Sequence, residues 1–139
     1  MPSVRIVEVG PRDGLQNISQ QVSTKLKVEL INRLADAGLS IIEATSFVSP
    51  KKIPQMADAR EVLEGIRPLM AYDLQLPVLV PNLHGLETAR QCGVKEVAVF
   101  VSATEGFSQK NINCSVVESL ERASAVAQAA KKLGIRVRG

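Results

Sequence analysis

Arg12 and Asp13 stand side by side in the segment Gly10-Pro11-Arg12-Asp13-Gly14-Leu15-Gln16-Asn17. A carboxylate placed there can ligate a hard divalent cation through oxygen. The adjacent guanidinium can hold a carbonyl oxygen as it becomes an enolate, a charge that grows only in the transition state. A plain turn with an Asx contact and a surface ion pair would use the same residues. Glu43 lies inside the apolar run LSIIEATSF. A buried ionised carboxylate is costly unless paired, so Glu43 either orients Arg12, faces a metal, or sits in a structural ion pair. His84 is the one histidine. A lone imidazole with one or two carboxylates makes a thin metal site, and a solvated residue in the first turn of a helix accounts for it as well. Lys51 and Lys52 in FVSPKKIPQM, and Lys110 with Asn111 and Asn113 in EGFSQKNINCS, could meet an anionic ligand or belong to solvated loops.

These residues need elements to position them, and the chain supplies a regular alternation. Strand-like segments are expected at 4–9, 39–47, 76–80, 94–101 and 135–137, and helices at 24–37, 57–66, 83–92 and 116–133. Ser23 and Thr24 offer an N-cap for the first helix, and Ser115 with Glu118 has the form of a capping box for the last. The segments LADAGLSIIEA, ARQCGVKEVAVF and AKKLGIRVRG repeat one pattern: a helix end, a glycine able to take positive φ, then a β-branched strand. Strand, helix, strand in order means parallel βαβ units with right-handed crossovers. The nearly all-apolar strands suit burial on both faces. A doubly wound sheet and a (β/α)8 barrel both satisfy this pattern. In either, chemistry collects at the C-terminal strand ends, where Arg12, Asp13, Glu43 and Ser46 fall. No G-x-G-x-x-G or P-loop follows a strand, which argues against a dinucleotide site.

Composition sets the outer limits. The chain has 139 residues, 45% hydrophobic and 22% charged, with a formal charge of +3. That is one globular domain or less, neither disordered nor disulfide-built. A complete barrel takes about 250 residues, so four βα units and a fifth strand make roughly half of one. Aromatics are 3% and no Lys/Arg block exists, so no nucleic-acid partner is expected. No apolar run is long enough to span a membrane. Cys92 and Cys114 fit no CxxC spacing, which suits a reducing compartment. The start at Met1-Pro2-Ser3 carries no secretory or transit pattern. A cytoplasmic location is expected, or the mitochondrial matrix if a transit peptide has been lost.

The segments RIVEVGPRDGLQN, GLSIIEATSFVSPKKIPQM, PVLVPNLHGLETA and KNINCSVVESLERA closely resemble hydroxymethylglutaryl-CoA lyases. The resemblance runs from Val4 to Gly139, in the family's order. The related acyl-condensing synthases usually carry a phrase closer to LRDGEQ in place of GPRDGLQN. The resemblance implies an α/β TIM barrel, (β/α)8, of which residues 1–139 are the N-terminal part of a single domain. It implies cleavage of 3-hydroxy-3-methylglutaryl-CoA to acetoacetate and acetyl-CoA, in leucine breakdown and ketone-body formation. It also implies a Mg²⁺ or Mn²⁺ ion and, for the full-length family member, a homodimer. By position, Asp13 matches the family's metal-binding aspartate, Arg12 the arginine that steadies the thioester enolate, and Glu43 the glutamate near both. Gln16 and Ser46 match substrate-side positions. The family's H-x-H metal ligands, asparagine and loop cysteine have no counterpart here; His84, Cys92 and Cys114 do not match them. The 139 residues alone are therefore expected to be inactive. The alternatives are a non-catalytic half-barrel interaction module, a sibling condensing synthase acting on a 2-oxo acid, or a gene fragment without independent function.

Overall fold

The structure, a computed structural model, describes residues 4–139. The Met1-Pro2-Ser3 start, from which the absence of a leader was read, lies outside the described residues. Four strands form one parallel sheet in sequence order: β1 (Thr45–Ser46), β2 (Val78–Leu79), β3 (Glu96–Ala98) and β4 (Arg136–Arg138). Five helices accompany them: α1 (Thr24–Asp36), α2 (Ala59–Gly65), α3 (Leu83–Gln91), α4 (Glu105–Ile112) and α5 (Val116–Lys132). The strands are shorter than expected. The segment 4–9 does not form a full strand; it joins the sheet through the single parallel bridge Glu8↔Ile42. Val4 and Ile6 are 89% and 69% exposed, so too little apolar surface is buried there to hold an extended ladder.

The three repeated helix-to-strand segments turn as their glycines dictate. Gly38, Gly93 and Gly134 take φ of +93°, +77° and +69°. A side chain at such angles is strained, and glycine is free to adopt them. Each glycine thus stops a helix and aims the next strand into the sheet. The core lies between sheet and helices. Ile42, Val78 and Val97 from the sheet, Ile31 from α1, Val62 from α2 and Val126 from α5 are at most 1% exposed. Complete burial of such a side chain contributes about 1.5–3 kcal/mol. Gly65 lets α1 and α2 approach closely, because a Cβ there would stand 2.5 Å from Val28 Cγ2.

Polar ties then fix the loops. The Lys27 ammonium, 4% exposed, donates to Asp58 Oδ1 at 2.6 Å and to the Gln55 carbonyl. The Gln55 side chain accepts from Val22 N–H at 3.0 Å and donates to the Gln20 carbonyl at 2.9 Å. Helix α1 and the segment leading into it are thereby tied to the turn before α2.

Helix caps follow the sequence closely. The Ser23 hydroxyl accepts from Leu26 N–H at 3.4 Å, and Asn82 Oδ1 accepts from Gly85 N–H at 2.9 Å. Ser115 and Glu118 form the expected capping box. Helix α4 falls in EGFSQKNINCS, where the sequence predicts no helix. Thr104 opens that helix and Asn113, at φ +51°, closes it in the left-handed region. Its apolar face is weak, with Phe107 61% exposed, so periodicity gave no signal.

The Ser115 cap carries a pH signature. Two hydrogen bonds hold the Glu118 carboxyl below its ordinary value of 4.5, the Ser115 N–H first and the Ser115 side chain second. The folded state therefore favours the ionised form. That contribution is present above the unfolded value and is lost as pH falls through the lower folded value. An NMR titration of the Glu118 carboxyl is expected to show a midpoint below 4.5. In Ser115→Ala the midpoint moves part of the way back up, and the first-turn amides of α5 exchange faster. An unchanged midpoint would remove the hydroxyl from the account.

Candidate active site

Residues Gly10–Gly14 form one turn of π-helix directly after the Glu8 bridge. Three amides, of Arg12, Asp13 and Gly14, converge on the Val9 carbonyl at 3.2, 2.7 and 3.3 Å. The Glu8 carboxylate accepts from Gly10 N–H at 2.6 Å and pins the turn to the strand end. Pro11 has no N–H to lose, fits the first turn and is fully buried. This widened turn carries Arg12 and Asp13 side by side at the end of the sheet. Such single-turn π segments occur frequently at functional sites.

Glu43 is 1% exposed and both of its oxygens are taken. Oε1 accepts from Arg12 Nε at 2.5 Å, and Oε2 accepts from Arg138 Nη2. Arg12 Nη1 also reaches Asp13 Oδ1 at 2.8 Å. Asp13 is 53% exposed, so its remaining carboxylate oxygen faces solvent. The residues form a chain, Asp13–Arg12–Glu43–Arg138, with two positive and two negative side chains. The sequence allows Glu43 three roles. Here it pairs with Arg12, which suits both the orienting role and the structural ion pair, and each of its oxygens accepts one guanidinium hydrogen bond.

The contact of Glu43 with Arg138 also describes the sheet. β1 and β4 are separated by β2 and β3, three spacings of about 4.8 Å each. Arg138 stands in register with Ala98, Leu79 and Ser46. A side chain that returns to Glu43 from there crosses the concave side of a curled sheet. Curling of this kind belongs to a barrel wall and not to an open doubly wound sheet.

Of the other candidates, Ser46 is fully buried at the end of β1 and its hydroxyl has no protein partner. The Gln16 carbonyl oxygen and Arg138 Nε are likewise buried and unpartnered. His84 is exposed in the first turn of α3, Lys51 and Lys52 are exposed in a turn, and Lys110 is exposed on α4. None of these four has a side-chain hydrogen bond to the Arg12–Glu43 group among the described residues. Cys92 and Cys114 are free thiols. A cavity of about 300 Å³ lies elsewhere, between α2 and α3, lined by Arg60, Glu64, Arg67 and Cys92 among others. Its arginines already pair with Gln91 and Glu64, and no strand-end residue lines it.

Arg138 is the residue that sequence reasoning missed. It sits in IRVRG, at the C-terminal end of β4, and that strand-end position is the signal that marks it. Among the described residues no three His, Cys, Asp or Glu side chains come together to hold a metal. Asp13 offers one open oxygen, which is not a metal centre by itself.

A parallel sheet in sequence order, with an ion pair joining its last strand to the segment before its first, defines part of a (β/α) barrel. The HMGL-like family model matches residues 3–139, and the chain belongs to that family. Its relatives are hydroxymethylglutaryl-CoA lyases. The chain is 56% identical to the mitochondrial enzyme of Macaca fascicularis over 98% of its own length and 41% of the relative's. It is also 56% identical to the cytoplasmic enzyme of Danio rerio, of which it covers 40%. The crystal structure of the Pseudomonas aeruginosa lyase superposes with a TM-score of 0.90 at 54% identity, over 98% of this chain and 45% of that one. An Acinetobacter baumannii lyase in complex with coenzyme A and 3-methylmalate superposes at 0.87 with 33% identity, over 99% of this chain and 45% of that one. The chain thus spans less than half the length of these relatives. Members of the family generally depend on a divalent metal. The relatives include mitochondrial and cytoplasmic forms, and among the described residues no helix is long and apolar enough to cross a membrane.

Proposed function

We propose that this chain carries the arginine–carboxylate half of a hydroxymethylglutaryl-CoA lyase site, within a single (β/α)8 barrel domain. The substrate would be 3-hydroxy-3-methylglutaryl-CoA and the products acetoacetate and acetyl-CoA. The observation that supports this most is the Arg12 guanidinium. It is 17% exposed, held by Glu43 and Asp13, and presented at the sheet end.

In the reaction a base takes the proton of the tertiary hydroxyl. The bond between the thioester's α-carbon and the hydroxyl-bearing carbon breaks, leaving the ketone of acetoacetate. The electron pair passes to the thioester fragment as an enolate, which takes a proton to become acetyl-CoA. Arg12 is placed to hold the enolate oxygen. Its charge is fixed before the reaction, so no reorganisation is needed when the enolate forms. Glu43 holds Arg12 in place, and Gln16 and Ser46 offer unpartnered polar atoms to the substrate. Asp13 would give one oxygen to a Mg²⁺ or Mn²⁺ ion whose other donors the described residues do not supply. For the compartment we propose the cytoplasm or the mitochondrial matrix, both reducing as the two free thiols suit, and for the assembled enzyme a homodimer.

The test is a chimera in which residues 4–139 replace the matched segment of the Pseudomonas aeruginosa lyase. Acetoacetate release from hydroxymethylglutaryl-CoA within about tenfold of the parent enzyme is expected. In Asp13→Asn, Mn²⁺ affinity is expected to fall by about tenfold or more, because one of a small set of oxygen ligands loses its charge. The 139 residues alone are expected to release none. A folded chimera that instead consumes acetyl-CoA with a 2-oxo acid would overturn the reading in favour of a condensing synthase.

A further inference from the structure

Arg138 closes β4 and lies 95 residues from Glu43 in the chain, yet its guanidinium takes the Glu43 oxygen that Arg12 leaves free. We propose that Arg138 is a positioning residue: it fixes the Glu43 carboxylate so that Glu43 in turn holds Arg12 at the reacting centre. The proposal rests on the lyase reading for its kinetic consequence but not for its geometric one.

Three observations carry it. Glu43 is 1% exposed and has these two guanidiniums as its side-chain partners among the described residues. The final torsion of a glutamate is broad and roughly two-fold, so one partner leaves the carboxylate free to turn. Two partners on different oxygens fix its plane, and the plane sets where Arg12 Nε must lie. Arg12 also has a competing partner, since its Nη1 donates to the half-exposed Asp13. If Glu43 turns, Arg12 can follow Asp13 toward solvent. Lastly, Arg138 Nε is buried with no acceptor. Glu43 is thus the one side-chain acceptor of Arg138 among the described residues.

Arg136, two residues earlier, is an internal control. It lies on the same strand but pairs with Glu96 at 2.9 Å, away from the Glu43 group.

The experiment has two arms. In the 139-residue chain with ¹⁵N-labelled arginine, the Arg12 Nε–H is expected to exchange slowly with solvent, being bonded to a buried carboxylate. In Arg138→Gln that exchange should speed up by about tenfold or more, and in Arg136→Gln it should not change. Unchanged Arg12 exchange in a folded Arg138→Gln chain would overturn the proposal. If Arg138→Gln does not fold, as judged by circular dichroism, Arg138→Lys replaces it with the same two outcomes, because a lysine cannot reproduce the planar guanidinium fork.

In the chimera, Arg138→Ala is expected to lower kcat by about 100-fold, the cost of a misplacement near 1 Å, with KM within about threefold. Free guanidinium should recover about tenfold of this, and sodium chloride at the same ionic strength should not. A KM increase with kcat unchanged would make Arg138 a binding group and overturn the positioning role. An inactive parent chimera would remove the lyase reading instead, and the exchange arm would still decide what Arg138 does to Arg12.

Discussion

Replacing Arg12 by alanine in the chimera is expected to lower kcat by about 10³-fold with little change in KM. Losing one preorganised donor at an oxyanion costs about 10²–10³-fold in acyl-transfer enzymes. Here the upper figure applies, because the side chain removed carries a full charge and also holds Asp13. Its Nη1 bonds Asp13 Oδ1 at 2.8 Å and its Nε bonds Glu43 Oε1 at 2.5 Å. Arg12→Lys separates charge from geometry. A lysine restores the positive charge but has one nitrogen where the fork has three, so it cannot serve Glu43, Asp13 and a substrate oxygen together. The lysine variant is expected to recover no more than about tenfold of the loss. Steady-state assays of acetoacetate release give kcat and KM separately. If Arg12→Ala raised KM and left kcat intact, Arg12 would bind the ground state and the enolate role would be wrong.

The largest effect on stability is expected at Glu43. Removing one member of a buried ionic group leaves the others uncompensated, at a cost of about 3–5 kcal/mol. Arg12 and Arg138 keep 17% and 38% exposure, and water screens them in part, so Glu43→Ala belongs at the lower end, about 3 kcal/mol. For a chain of this size that corresponds to a fall in Tm of about 10 °C. A second variant tells pairing from packing. In Arg12→Met/Glu43→Leu/Arg138→Met the charges are removed together and the volume is kept. Such replacements are often neutral or stabilising, so the triple variant should melt well above Glu43→Ala while the chimera carrying it releases no acetoacetate. Thermal melts by circular dichroism read both. A triple variant no more stable than the single one would mean that Glu43 matters for its shape and not for its charge.

These two expectations separate what the group does from what it costs. In the Asp13–Arg12–Glu43–Arg138 chain one buried donor has no partner among the described residues and one member is half exposed. It is well arranged to hold a single guanidinium at the sheet end.

Much of the molecule was legible in the chain itself, wherever the cause is local. Helix ends at Gly38, Gly93 and Gly134 follow from glycine's tolerance of positive φ, and the Ser115–Glu118 box follows from a spacing of three. The order of strands and helices follows from apolar periodicity. Arg12 and Asp13 stand out as adjacent opposite charges between two glycines. What could not be read is nonlocal or lacks a local signal. The widened π turn that presents Arg12 depends on Glu8 reaching Gly10 N–H. Helix α4 forms without a clear apolar face. The segment 4–9 gains a single bridge because its apolar residues find little to cover them. Which side chains Glu43 pairs with was decided by tertiary structure alone. A carboxylate in an apolar strand shows that a partner must exist but not which one, and the second partner lies 95 residues away. Local sequence determines where the backbone can turn and which faces are buried. Only the curl of the sheet, which brings β4 round to Glu43, decides which charges meet.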